Sequence, residues 1–277
     1  ADAGGAGRSY TRGEIDGLAN AVARGLVRRG LVRGGAVAVL AENSVNYLGA
    51  YLGIMRAGMI AVPIIYLQPA RTVEHIVKDS ECRLILADPG RQGLCPAGTQ
   101  VIDLDDTGED GFGGLLDPGP FEIVGPEPRE TAMILYTSGS TGMPKGVRLS
   151  HEGQLFALSR WASDAGEIAR HRLLVAAPQY HMNALFISKL ALMYGASVVL
   201  LPRFDAEAYI RAIARHRVSW LTSVPTMLAL VVRETALLEA TDLSTVERVS
   251  MGSAPLTEAL FDEVQSWFPN ALVSNLY

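Results

Sequence analysis

Hydrophobic positions recur with a helical period over Thr11–Gly30, where Ile15, Leu18, Ala19, Val22 and Leu26 share one face and Gly30 supplies a stop. They then bunch into the short apolar run Ala36–Ala41, which predicts a strand. The alternation continues with a helix over Val45–Ala57 ended by Gly58, a strand over Ile60–Val62 stopped by Pro63, a helix over Arg71–Ser80, and strands over Arg83–Ala87 and Val101–Leu104. Asp105–Pro128, rich in Gly, Asp and Pro, breaks the rhythm and reads as a long surface connection. A strand over Ala132–Tyr136, a glycine-rich loop and a helix from about Ser150 come next. In the second half, strands are predicted at Arg172–Ala176, Ser197–Leu200, Ser219–Thr222, Arg248–Met251 and Ala271–Ser274. Helices are predicted between them at Ala184–Met193, Ala206–His216, Thr226–Glu234 and Thr257–Trp267.

Short apolar strands without polar alternation, separated by helices, predict an α/β fold: mostly parallel sheets covered by helices on both faces. No internal repeat is visible. The chain has 277 residues, of which 49% are hydrophobic and only 19% charged, so there is material for a large core and broad buried surface. Lys and Arg number 24 against 29 Asp and Glu, a net charge of −5 with no basic run, which argues against nucleic acid as a main partner. The two cysteines, Cys82 and Cys95, have no histidine close by, and the reading is a reducing cytoplasm with neither a disulfide framework nor a zinc site. The longest uncharged stretches, Ala57–Ala70 and Leu190–Pro202, fall short of the roughly 20 residues that span a bilayer, so no transmembrane segment is expected. No basic-then-apolar signal peptide opens the sequence, which starts at Ala1 without Met as a trimmed terminus would.

The chemistry concentrates in Ile134–Gly146, ILYTSGSTGMPKG. An apolar strand runs into Thr137, Ser138, Gly139, Ser140, Thr141 and Gly142, whose small residues let the backbone turn its N–H groups toward an anion. The hydroxyls add donors that rotate to suit phosphate oxygens, and Lys145 brings a cationic point charge, so the natural guest is a polyphosphate. Competing motifs fail by letter. In a Walker A loop the lysine directly follows the last glycine, whereas Met143 and Pro144 intervene here. A nucleophile elbow needs glycine where Ser138 stands, and the nearest dinucleotide fingerprint, Gly111-Phe112-Gly113, has Leu116 in its last glycine position. A plain serine–glycine linker would rarely place Pro144 and Lys145 so tightly after a buried strand.

Thr137–Gly146 closely resembles the phosphate-binding signature of the adenylate-forming superfamily, which holds acyl-CoA synthetases, nonribosomal peptide adenylation domains and luciferases. Other segments resemble the family in its order along nearly the whole chain. These are Ser9-Tyr10-Thr11, Arg56–Pro63, Ala177-Pro178-Gln179-Tyr180-His181, Met251–Leu256, and Asn275-Leu276-Tyr277 as the start of N-x-Y-G-x-T-E. The resemblance is strongest to fatty or aryl acyl-CoA ligases. It implies two sheet-containing subdomains of an incomplete N-terminal AMP-binding domain, at about 35–160 and at 9–34 with 165–277. The sequence stops at Tyr277 inside the last motif. The Glu associated with magnesium, the ribose-binding Asp and the small C-terminal domain with its adenylation lysine are therefore expected to be missing, either by truncation or because this is part of a longer polypeptide. By the same expectation the 277-residue chain alone makes no acyl-CoA.

The resemblance further implies ATP-dependent activation of a carboxylic acid to acyl-AMP, then thioester formation with CoA. Thr137, Ser138, Gly139, Ser140, Thr141, Gly142 and Lys145 would hold ATP phosphates. Thr141 would contact Mg2+, Gly252, Ser253, Ala254 and Pro255 would flank the adenine, and Asn275 and Tyr277 would complete the nucleotide site. Lys145 and His181 are the implied catalytic groups. His181 by itself reads as an imidazole hydrogen-bonded at a strand end; the matched segment shifts the reading toward contact with the acyl carboxylate or a gate on its pocket. His75, His151, His171 and His216 form no ligand-spaced pair and read as structural or solvated. Trp161, Trp220 and Trp267 read as core. Amino-acid-activating relatives carry an Asp in the pocket segment; Tyr180–Ala184 has none, and Met182, Ala184, Leu185, Ser223, Val224, Met227 and Met251 are mostly apolar, so a fatty or aryl acid is expected. The partners expected are a small carboxylate, ATP and CoA, with a homodimer left open. A carrier-protein-loading or luciferase-like enzyme shares every motif present, and a nucleotide-binding module without catalysis remains a third reading.

Overall fold

The computed structural model describes residues 7–123, 125–137 and 142–276. They form two compact units. One comprises 9–159 with 179–181, and the other comprises 160–178 and 182–276 together with the described N-terminal residues.

In the first unit, α1 (Arg12–Arg28) starts at a capping box in which Thr11 and Glu14 satisfy each other's backbone N–H. It is followed by β1 (Ala36–Leu40), α2 (Val45–Arg56), β2 (Ile60–Pro63), α3 (Ala70–Asp79), β3 (Leu84–Ala87), β4 (Gln100–Asp103), α4 (Phe112–Leu115), β5 (Thr131–Thr137), β6 (Lys145–Ser150) and α5 (His151–Ser159). The strand order is β4-β3-β1-β2-β5-β6, parallel except for β6, which runs antiparallel to β5. All five residues of β1 are buried, as expected for a central strand covered on both faces. One layer of core sets Val73, Ile76 and Val77 of α3 against Ala36, Ala38 and Leu40 of β1, with Ile85, Ala87 and Tyr136 alongside.

The second unit runs α6 (Ala165–Ala169), β7 (Arg172–Val175), α7 (Met182–Tyr194), β8 (Ser197–Leu200), α8 (Ala206–His216), β9 (Trp220–Ser223), α9 (Pro225–Val231), α10 (Thr235–Glu239), β10 (Arg248–Gly252), α11 (Glu258–Trp267) and β11 (Leu272–Leu276). Its sheet is all parallel, in the order β11-β10-β9-β7-β8. Trp220 is core, as expected, with its indole N–H donated to Ser250 Oγ at 3.0 Å. No helix among the described residues is long and apolar enough to cross a membrane.

Three expectations are corrected. Residues 9–34 belong with the first unit, because α1 lies along α2 at a seam where Gly49 and Gly53 have no side chain to keep the helices apart. The loop after β5 is not followed directly by a helix: 145–150 form strand β6, whose residues are mostly exposed and so leave no apolar signature. The connection 105–128 contains the one-turn helix α4, which buries Phe112 and Leu115. Helices α6 and α10, five residues each, were too short for periodicity to reveal.

The seam between α1 and α2 is testable. A Cβ on Gly53 would stand 2.6 Å from Val22 Cβ and 2.8 Å from the Ala19 carbonyl oxygen, whereas one on Gly17 meets nothing within 4 Å. Gly53→Val is expected to cost about 1–3 kcal/mol in urea unfolding. Gly17→Ala is expected to be neutral or to stabilise by up to about 1 kcal/mol. Equal effects from the two changes would contradict the packing described.

Candidate functional site

In open α/β sheets ligands gather outside the carboxyl ends of the strands, and the first unit places its chemistry there. Strand β5 carries buried Ala132, Met133 and Tyr136 and ends at Thr137, which is exposed. The chain returns as β6, and the ladder pairs Thr137 with Lys145 and Tyr136 with Gly146. A hydroxyl-bearing and an ammonium-bearing residue are therefore cross-strand neighbours, both exposed, at the base of the glycine-rich loop. Lys145, expected within the loop, is the first residue of a strand, so backbone pairing fixes its position. Gly142 adopts φ of 124°, a conformation that residues with a side chain rarely take. A Cβ on Gly146 would fall 2.8 Å from Ile134 Cγ2 and 3.0 Å from Tyr136 Cζ, so the Tyr136 ring lies on that glycine. Ser138, Gly139, Ser140 and Thr141 lie outside the described residues.

The segment Gln179-Tyr180-His181 docks on the same unit. The Gln179 N–H donates to Asn43 Oδ1 at 2.6 Å, and the Ser44 N–H donates to Gln179 Oε1 at 3.3 Å; both Asn43 and Gln179 are buried. The Tyr180 ring meets Tyr66 edge-on at 5.0 Å between centroids and His181 at 4.6 Å. Above Tyr66 sits the Arg91 guanidinium, 4.1 Å from the ring centroid. Arg91 in turn bridges Glu42 at 2.8 Å and Asp88 at 2.7 Å, while Asp88 Oδ2 also accepts the Glu42 N–H at 2.9 Å. A stack of cation and aromatic rings thus connects the ends of β1 and β3 to His181.

These surroundings set the protonation states. Burial, with Tyr66 nearby, pushes the Tyr180 phenol up to about 12. His181 keeps an exposed face, yet the protein on its other side lowers its pKa below the ordinary 6.5 by desolvation. Burial and the neighbouring Asp88, Asp103 and Glu42 raise the carboxyl pKa of Asp105, with Arg91 opposing them. Sequence reasoning missed Glu42, Tyr66, Asp88 and Arg91. They come from separate connections after β1, β2 and β3, and no local spacing links them.

In the second unit, β10 ends at buried Gly252 and the chain turns through Ser253, whose φ of 66° is left-handed, then Ala254 and Pro255, before Thr257 caps α11. Strand β11 sets Asn275 beside Met251 and Leu276 beside Gly252, so the residues predicted to flank a nucleotide converge at the carboxyl ends of adjacent strands. Tyr277 lies outside the described residues. Ala184, Leu185, Met227 and Met251 are buried, and Ser223 is bonded to the Tyr209 hydroxyl at 2.8 Å. Clefts of about 400 and 550 Å3 in this unit hold none of the predicted residues. The larger lies at the opposite, amino end of the sheet, beside Arg172, Ser197 and Ser219. Convergence at strand ends is the stronger pointer, since it collects the matching groups. Among the described residues no cluster of His, Cys, Asp or Glu could hold a metal ion.

The sequence profile described as AMP-binding enzyme matches residues 2–277. The chain is 33% identical over 262 residues to the long-chain-fatty-acid–CoA ligase FadD13 of Mycobacterium tuberculosis, covering 90% of this chain and 51% of that protein. It is 27% identical over 288 residues to 4-coumarate–CoA ligase 1 of Petroselinum crispum, covering 99% and 53% respectively. The chain thus spans about half the length of these curated relatives. Its structure superposes on the inhibitor-bound N-terminal domain of FACL13 from Mycobacterium tuberculosis with a TM-score of 0.83 and 28% identity, over 96% of this chain and 68% of that one.

Desolvation without a carboxylate partner predicts that the His181 ring titrates below 6.5. Histidine side-chain NMR of the chain, assigned with His181→Asn, is expected to show that midpoint. A midpoint above 6.5 would mean that an anion stabilises the imidazolium and would contradict the environment described.

Proposed function

Since this chain belongs to the AMP-binding enzyme family, we propose that it supplies the nucleotide- and acid-binding part of an ATP-dependent acid–CoA ligase. The observation that carries this reading is the Thr137–Lys145 pair at the base of the glycine-rich loop, an exposed hydroxyl and ammonium set together by the β5–β6 ladder.

In the first half-reaction a carboxylate oxygen attacks the α-phosphorus of ATP, the bond to the bridging oxygen breaks, and pyrophosphate leaves carrying that electron pair. In the second, the thiolate of CoA attacks the acyl carbonyl carbon and AMP leaves. Such transfers are catalysed chiefly by positioning and by neutralising charge on phosphate oxygens. Lys145, Thr137, Ser138, Ser140 and Thr141 would hold the β- and γ-phosphates, with Gly139 and Gly142 bringing backbone N–H groups close. The Gly252–Pro255 turn, Asn275 and Tyr277 would hold the adenosine end. His181, neutral at pH 7, would hydrogen-bond the substrate carboxylate without trapping it as an ion pair. Bound with the phosphates, Mg2+ would neutralise developing charge; Thr141 is the residue proposed to contact it.

For the acid we propose a fatty or aryl carboxylate. Tyr180–Ala184 offers no carboxylate to an ammonium group, and the candidate pocket residues Met182, Ala184, Leu185, Val224, Met227 and Met251 are apolar. The relatives named above act on acids of both kinds by their descriptions.

Lys145→Ala in the full-length protein is expected to lower carboxylate-dependent pyrophosphate exchange into ATP by about 10²–10³. A parental rate would overturn the phosphate assignment. In the same assay fatty or aryl acids are expected to outperform amino acids, and acyl-CoA is expected when CoA is added. Preference for a free amino acid would refute the substrate class while leaving the adenylation chemistry standing.

A further inference from the structure

We propose that helix α3 is a two-point clamp on the shoulders of the glycine-rich loop, with His75 and Asp79 as positioning residues for Thr137 and Lys145. The proposal rests on reading that loop as the phosphate site.

The two contacts flank the loop. On the incoming side, the Tyr136 hydroxyl donates to Asp79 Oδ2 at 2.5 Å. On the outgoing side, His75 Nε2 lies 3.0 Å from the Pro144 carbonyl oxygen. A carbonyl only accepts, so Nε2 carries the proton in this contact. Tyr136 immediately precedes Thr137, and Pro144 immediately precedes Lys145, so each clamp point lies one residue from a proposed phosphate ligand. His75 and Asp79 stand one helical turn apart and share a face of α3.

The hairpin needs such a tie. Strand β6 is an edge strand whose partner in the sheet is β5. The registered ladder between β2 and β5 is the pair Ala61 with Met133, and on that register β2 ends at Pro63 opposite Leu135, so Tyr136 and Thr137 extend past it. Helix α3 is a firm anchor by contrast. Its Val73, Ile76 and Val77 are buried against the sheet, and Ser80 Oγ donates to the Ile76 carbonyl oxygen at 2.5 Å to close its end. Burial and the Asp79 carboxylate both raise the Tyr136 pKa, keeping the phenol protonated as the donor the contact requires. His75, set aside in the sequence as structural or solvated, therefore touches the one loop that carries the chemistry.

Two readouts test the clamp. In the 277-residue chain, tryptic cleavage after Lys145 is expected to accelerate about fivefold in His75→Ala and in Tyr136→Phe, the scale of one net hydrogen bond, with cleavage after Lys189 unchanged. In full-length protein the same variants are expected to raise the KM for ATP by about fivefold while the KM for the acid stays parental. His75→Gln, which can still donate to the Pro144 carbonyl, and Asp79→Asn, which can still accept from Tyr136, are expected to restore both readouts. Tyr136→Phe removes a single hydroxyl and guards against a folding defect in His75→Ala. Parental ATP KM and cleavage in both His75→Ala and Tyr136→Phe, in a protein whose exchange depends on Lys145, would overturn the clamp and leave the phosphate loop standing. A His75→Gln variant as impaired as His75→Ala would also overturn it. If Lys145 itself proved dispensable, the phosphate reading would fall, and the clamp with it.

Discussion

A strand that turns back antiparallel at the edge of a parallel sheet leaves its connecting loop at the carboxyl ends of the other strands, and the pairing of β5 with β6 does this with Thr137 and Lys145 at the base. Everything proposed for the site depends on that pairing. It converts Lys145 from a flexible loop cation into a residue of fixed register, and it sets Gly146 under the Tyr136 ring, where a side chain would collide. The other strand ends contribute from the same edge: Asn43 follows β1, Tyr66 follows β2 and Asp88 follows β3. Preorganised donors of this kind act without being rearranged when charge moves, which is where most of their catalytic effect arises.

A chain of net charge −5 that is to bind a polyanion, as proposed, has to separate its own carboxylates from the proposed phosphate donors. Near the sheet edge this is done by pairing. Glu42 and Asp88 share Arg91, and Arg91 lies on Tyr66 instead of projecting into solvent. These carboxylates hold an aromatic stack that reaches Tyr180 and His181, and exposed Lys145 makes no ion pair within 4 Å with a carboxylate of the described residues. A guanidinium suits this place because its planar fork bonds two acids while its face packs on a ring.

Much of the scaffold is legible in the sequence because burial leaves a pattern. Runs such as Ala36–Ala41 and Leu84–Ala87 are apolar throughout, as strands covered on both faces must be, and the structure places β1 and β3 there. The amphipathic period of Ala206–His216 matches α8 at both ends. What escaped notice lacks a one-dimensional signature. Strand β6, with exposed Lys145 and Arg148, is held by backbone pairing and not by burial, so its side chains say nothing of it. Residues 9–34 were assigned to the wrong unit because sequence shows a helix's apolar face but not its partner; the Gly49 and Gly53 seam identifies α2 only when seen in three dimensions. At the site, the loop letters and the turn at Gly252–Pro255 were readable as local motifs. Arg91, Tyr66, His75 and Asp79 were not, since each acts through contacts across many residues of chain.

The central claim is that the β5–β6 hairpin end receives ATP phosphates. Hydrogen exchange of the protein with and without ATP and Mg2+, read by mass spectrometry over peptides covering 130–150, tests this most directly. The account predicts that slowing of exchange on ATP addition is concentrated in Thr137–Gly146, with AMP, which lacks the β- and γ-phosphates, giving little protection there. Protection confined to other segments, or equal protection of this one by AMP and ATP, would contradict it.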